Sequence, residues 1–149
     1  MPGCDTRYFG PVEYEEHTVI RMVQGPLGFE EDRAFLLLQR PEQYPLVYMQ
    51  SVLTPRLCFL ALPVLAVARD YALQLTREDA EVLRMAQHPQ IGVDALCLVL
   101  LTARPDGATA NLLAPVVVNL KSRSALQCLN VRGTWSHQHA LDSGREAAA

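Results

Sequence analysis

The stretch ATANLLAPVVVN, residues 108–119, decides how this chain is read. Its apolar, β-branched run reads as a buried strand. Yet Thr109 and Asn111 stand near its start, Pro115 in its middle and Asn119 at its end. Proline removes a ladder donor, so it belongs on an edge strand or at a bulge. A buried amide must find partners for two donors and an acceptor. One reading is a kinked strand whose amides satisfy nearby backbone. The other is a bent, exposed edge whose backbone and amide face a partner.

Working outward, short strand-like runs recur between turn signals. They fall at residues 8–14, 18–23, 34–39, 46–52, 57–62, 71–75, 95–103, 108–120 and 125–131. Gly25-Pro26, Arg40-Pro41, Thr54-Pro55, the Arg104-Pro105-Asp106-Gly107 turn and Lys121-Ser122-Arg123 separate them. One helix is expected over about residues 77–87. Thr76 is its N-cap, and Glu78 and Asp79 lie at the positive end of its dipole. Val82, Met85 and Ala86 are expected to share its apolar face, with Pro89 stopping it. The pattern predicts an all-β fold, a small and mostly antiparallel β-barrel or roll with this one short helix. A single domain is expected over residues 1–141, followed by a polar, small-residue tail at 142–149 that should fray.

The 149 residues are 50% hydrophobic and 19% charged, the composition of a globular chain rather than a disordered one. A formal charge of −3 and a pI near 5.8 offer no bulk attraction to nucleic acid or to an anionic membrane. Neither direct nucleic-acid binding nor membrane binding is expected, so any action on RNA would run through another protein. The longest apolar run, residues 57–68, contains a proline and is shorter than the ~20 residues of a membrane helix. The N-terminus MPGCDTRYFG has neither the basic region nor the apolar run of a signal peptide, which points to a cytoplasmic location.

Chemistry finds little purchase. Cys4, Cys58, Cys97 and Cys128 form no C-x-x-C pair, and three of them sit in apolar stretches as small hydrophobes. Reduced, structural cysteines are expected. Cys128 is nearest the pair His137 and His139, without the electropositive surround that activates a thiol. His137 and His139 lack a third ligand at zinc-finger spacing. The Gly25-Pro-Leu-Gly28 turn matches a G-x-x-G clamp, but Glu30, Glu31 and Asp32 directly after it would repel phosphate. No glycine-rich phosphate loop exists. Neither an enzyme nor a cofactor is expected.

Four further stretches agree with ATANLLAPVVVN in one respect. TRYFGPVEYEEHTVI, GPLGFEEDRAFLLL, PLVYMQSVLTPRLCFLAL with its Gln50-Ser51 pair, RDYALQLTREDAEVL and the stretch quoted first together resemble the flagellar assembly factor FliW family. They occur in family order over roughly residues 5–141. Two departures stand out. GPLG follows Met22-Val23-Gln24, where the family has an aromatic-proline-acid lead-in to a G-L-P-G core. The segment from Trp135 to Leu141 reads WSHQHAL, where the family tends to have a tyrosine and a proline.

The resemblance implies a non-enzymatic regulator. FliW proteins bind the translational repressor CsrA and relieve its silencing of flagellin mRNA, and flagellin is the competing partner. A flagellin-binding export chaperone without contact with CsrA is the alternative. The partner surface is expected to include Gln50, Asp70, Tyr71, Asn111 and Pro115, with Glu78 at its rim. These are polar, aromatic or turn-forming positions within the stretches that carry the resemblance. Acidic clusters at Glu13-Glu15-Glu16, Glu30-Glu31-Asp32 and Glu78-Asp79-Glu81 are candidate patches for a basic partner. On this reading ATANLLAPVVVN is a core strand interrupted at an exposed edge, its amide and proline shaping a partner surface.

Overall fold

The computed structural model describes residues 1–141, and the tail expected at 142–149 lies outside the described residues. Among the described residues, eleven strands and one α-helix follow each other in order. A hairpin of β1 (Gly3–Thr6) and β2 (Gly10–Glu13) comes first. Then come β3 (Ile20–Met22), β4 (Ala34–Leu38), β5 (Val47–Ser51) and β6 (Cys58–Pro63). The helix α1 (Arg77–Leu83) precedes β7 (Ala95–Arg104), β8 (Gly107–Ala110), β9 (Val116–Asn119), β10 (Ser124–Gln127) and β11 (His139–Ala140).

Seven strands close a barrel in the order β7-β6-β5-β4-β3-β10-β9, with β9 returning to β7. Every rung is antiparallel except β3 against β10. Closure gives each wall strand a neighbour on both sides, which limits the aggregation hazard of an open sheet. The expected all-β barrel with one short helix is the fold observed.

Period-two alternation sorts the side chains into two cores. Ile20, Phe35, Met49, Ala61, Leu98 and Val116 fill the barrel. Cys97, Val99, Val117 and Cys128 point out of the wall instead, against Leu73, Leu75, Leu83 and other side chains of the segment between β6 and β7. That outer layer is why the segment 71–75, expected as a strand, has no ladder. Leu73 and Leu75 are buried in the layer, and the backbone is tied at single points. Gln74 N donates to Asn130 Oδ1, Val131 N to Gln74 O and Leu75 N to Gln87 O.

The helix is shorter than the expected 77–87. Thr76 caps it as expected, its Oγ1 accepting from Asp79 N at 3.1 Å. It ends at Leu83 because Arg84 turns left-handed (φ 56°) and returns its N–H to Ala80 O and Glu81 O. Pro89 has no part in that stop. The buried face is Ala80 and Leu83, an i, i+3 pair. Val82, expected inside, is 45% exposed, since the helical register does not extend to Met85 and Ala86.

The stretch 108–119 also divides. β8 and β9 run along one edge of β7, where Ala110 faces Leu101 and Val116 faces Leu98. Two β7 residues, Val99 and Leu100, therefore oppose five, residues 111–115, so the strand swells into a wide bulge. Pro115 sits at its end, buried, and its carbonyl takes the Cys128 N–H at 2.9 Å. The proline thus marks a bulge between paired strands, not the exposed edge expected from the sequence.

Candidate functional site

The bulge and the GPLG turn meet at one end of β10. β3 leaves its partner just beyond Met22, where the last rung is Val23 N–H on Ala125 O. The chain then folds into a compact turn in which Gly25 N donates to Glu30 O and Phe29 N to Pro26 O. Only glycine fits at position 25, because a Cβ there would collide with the carbonyl oxygens of Phe29 and Asp32. Glu30 Oε2 accepts from Gly28 N at 2.7 Å, which holds that acid at the turn.

Between this turn, the bulge and the end of β10 lies a groove of about 340 Å³. Leu27, Ala114, Leu126 and Leu129 supply its apolar lining, and Glu30 and Asn111 its polar edge. Gln127 spans it: its Nε2 donates to Ala114 O at 3.1 Å, and its Oε1 accepts from Leu27 N at 3.3 Å. Leu27 is 86% exposed and Leu129 48%, a large apolar area left in water beside the groove. Glu31, next to Glu30, is exposed and in no ion pair among the described residues.

Asn111 is the one expected site residue that lines the groove. Its Oδ1 accepts from Ala114 N at 3.0 Å and shapes the bulge, while its Nδ2 makes no hydrogen bond among the described residues. Pro115 and Tyr71 lie beneath this region rather than on it. Pro115 is buried. Tyr71 is 5% exposed and donates its hydroxyl to Leu112 O at 2.6 Å. Burial pushes the Tyr71 hydroxyl pKa up, so it stays a donor. The Trp135 ring packs against the Tyr71 ring tilted by 45°, with ring centroids 4.8 Å apart.

Asp70 and Glu78 are exposed, Asp70 beside a second hollow with Arg132 and Trp135, and Glu78 in the first turn of α1. Gln50 sits elsewhere, on β5, with β6 and β7 between it and β9. It is fully buried and its Nε2 donates to Ser51 O and Pro55 O, both at 3.0 Å, which pins the β5–β6 turn. The side chains of Gln50, Tyr71 and Pro115 are therefore buried rather than presented to solvent, and these residues support backbone. The sequence reading missed Leu27, Gln127 and Leu129. Leu27 carried a signal, a large apolar side chain at the tip of a glycine-flanked turn.

All three acidic clusters are partly engaged internally. Glu16 pairs with Arg21 at 2.6 Å and Glu81 with Arg77 at 3.4 Å. Asp32 Oδ1 accepts from Ser51 Oγ at 2.7 Å and Thr54 Oγ1 at 2.8 Å. The thiols of Cys97 and Cys128 are buried, and burial pushes Cys97 up to about 12 and raises Cys128 as well, so neither is a thiolate near neutral pH. Among the described residues no three His, Cys, Asp or Glu side chains gather as a metal site. No helix among them is long and apolar enough to cross a membrane.

The fold is thus a small closed barrel that carries an apolar, acid-edged groove on its surface. Residues 3–141 match the model of one family, FliW protein, and this chain belongs to that family. It is 33% identical to the flagellar assembly factor FliW of Geobacillus kaustophilus, covering 91% of this chain and 92% of the relative. The Bacillus subtilis protein of the same name is 30% identical over 91% of this chain and 94% of its own. The crystal structure of a flagellar assembly factor FliW superposes with a TM-score of 0.81 at 32% identity, over 93% of this chain and 96% of that one. Flagellar assembly factors are not a class of enzyme.

Proposed function

We propose that this protein is a cytoplasmic antagonist of a CsrA-type translational regulator. It binds that regulator and relieves repression of flagellin mRNA, and flagellin competes for it. It acts without catalysis, without a cofactor and without touching RNA itself. The observation that carries this reading is family membership over nearly the whole described chain. The net charge of −3 and the free Glu31 beside the groove favour a basic partner, since complementary charge steers association. Asn111, Asp70 and Glu78 are the exposed or half-exposed members of the expected surface. Tyr71 and Pro115 act beneath it through their bonds to Leu112 O and Cys128 N, and Gln50 holds the separate β5–β6 turn.

Calorimetric titration with the CsrA-type regulator of the same cell tests this, repeated after preloading with flagellin. Micromolar or tighter binding that flagellin abolishes is the expected result. Flagellin binding with no heat from the regulator would overturn the antagonist and leave an export chaperone.

A further inference from the structure

The groove contains an unfinished ladder. Along one side of the segment that continues β10 past Gln127, Cys128 N–H donates to Pro115 O and Asn130 N–H to Leu113 O. Backbone donors alternate along a strand, so the N–H groups of Gln127 and Leu129 point the other way. That side is the one β3 has left: Val23 N–H on Ala125 O is its last rung, and the chain then departs into the GPLG turn. The Gln127 and Leu129 N–H groups find no backbone acceptor among the described residues. Both residues line the groove. A short open strand edge therefore lies along a trough with apolar flanks, the arrangement that accepts an added strand.

We infer that this groove takes an extended segment of a partner protein, which adds to the free edge of β10 and carries apolar residues beside a lysine or arginine. Backbone acceptors of the segment meet the Gln127 and Leu129 N–H groups. Its apolar side chains cover Leu27 and Leu129, which are 86% and 48% exposed without it. Asn111 Nδ2, a free donor among the described residues, takes a further carbonyl. The basic residue is set by Glu30 at the groove and by the unpaired Glu31 next to it. An acidic segment would meet like charge, and a helix would leave the strand edge unsatisfied. The inference deepens the proposed function by giving the chemistry of the segment held, and it rests on the reading that the protein works by binding other proteins.

The test uses the full chain and fluorescein-labelled, overlapping 15-residue peptides that tile the CsrA-type regulator and flagellin of the same cell, read by fluorescence polarisation. At least one apolar, basic peptide is expected to bind. Leu27→Ser and Glu31→Lys change exposed side chains, so the fold should survive, and each should weaken that peptide about tenfold, the size of one lost contact. N-methylation of alternate peptide amides distinguishes strand addition: methylation on the β10-facing set should abolish binding, and on the opposite set should not. Binding indifferent to Leu27→Ser and to methylation would overturn the inference, as would a tiling set that yields no binder while the intact partners bind. That last result leaves the proposed function standing. A binder that obeys these rules while intact CsrA-type regulator fails to bind would sink the antagonist reading and keep the groove. A dimer that Leu27→Ser dissociates would assign the groove to a second copy of this chain and overturn the partner segment.

Discussion

Asn119 Nδ2 donates a 2.7 Å hydrogen bond to the carbonyl oxygen of Leu83, so the strand that closes the barrel also holds the last residue of α1. The same side chain accepts from Lys121 N at 2.9 Å and Ser122 N at 3.4 Å, shaping the turn into β10. One buried amide thus joins the wall, the outer layer and the next turn. Asn119→Ala should cost about 1–3 kcal/mol, because it leaves the Leu83 carbonyl without its partner in a buried place. Urea unfolding followed by circular dichroism measures this; a loss below a few tenths of a kcal/mol would show that water replaces the amide freely.

Tyr71→Phe removes the hydroxyl bond to Leu112 O but keeps the ring against which Trp135 packs. A loss of about 1–2 kcal/mol is expected. Trp135 is the sole tryptophan of the chain, so its fluorescence reports this contact directly. Its emission should change little in the folded variant and shift red at a lower urea concentration. An early shift without loss of the barrel's circular dichroism would mean that the Trp135 segment detaches separately.

Thr76→Ala deletes the N-cap that accepts from Asp79 N and should destabilise by about 1 kcal/mol. Val82→Ala, at a position 45% exposed, should move stability by less than half of that, about 0.5 kcal/mol or under. The ranking of the two by thermal melting checks the observed helical face. A larger effect at Val82 would restore the face expected from sequence.

Stability should fall as pH rises above 9. Burial raises the Cys97 thiol from 9.0 to about 12 and drives Cys128 up as well. The unfolded chain ionises these thiols near 9 and the folded chain does not, so the unfolded state releases protons first and gains. The stabilising difference is complete below pH 9 and is lost progressively toward 12. Each such thiol contributes a slope of at most about 1.4 kcal/mol per pH unit. Urea midpoints at pH 8, 9 and 10 should decline, and less steeply in Cys97→Ala. A flat profile over that range would contradict burial of the thiols.

Gly25→Ala should be the most damaging change near the groove, since the new Cβ meets the carbonyls of Phe29 and Asp32, which are backbone and cannot swing aside. More than about 2 kcal/mol is expected, or loss of the turn while the barrel persists. Proteolysis between Gly25 and Asp32 distinguishes the two outcomes, and resistance equal to the parent would refute the close packing of this turn.

What the sequence determined was local. Apolar runs bounded by turn signals placed strands close to β4, β5, β6 and β7, and Thr76 with Glu78 and Asp79 placed the start of α1, because these signals act within one turn or one short run. The stretches that resemble the FliW family lay open to inspection, and the family followed from them. Barrel closure was not legible, nor was the parallel rung between β3 and β10, since strand pairing is made between residues about a hundred positions apart. The early end of α1 was hidden too, because a left-handed arginine carries no glycine to announce it.

The candidate site divides along the same line. Asn111 could be singled out as an amide in an apolar run, yet only the register of β7 against β8 and β9 turned its neighbourhood into a bulge. Gln50, Tyr71 and Pro115 looked like surface because sequence gives residue type and not which side of a wall it occupies. Tertiary structure placed them inside, where their polar atoms serve backbone. Leu27, Gln127 and Leu129 became a groove only when the departure of β3 left part of β10 unpaired, a consequence of where two distant strands separate.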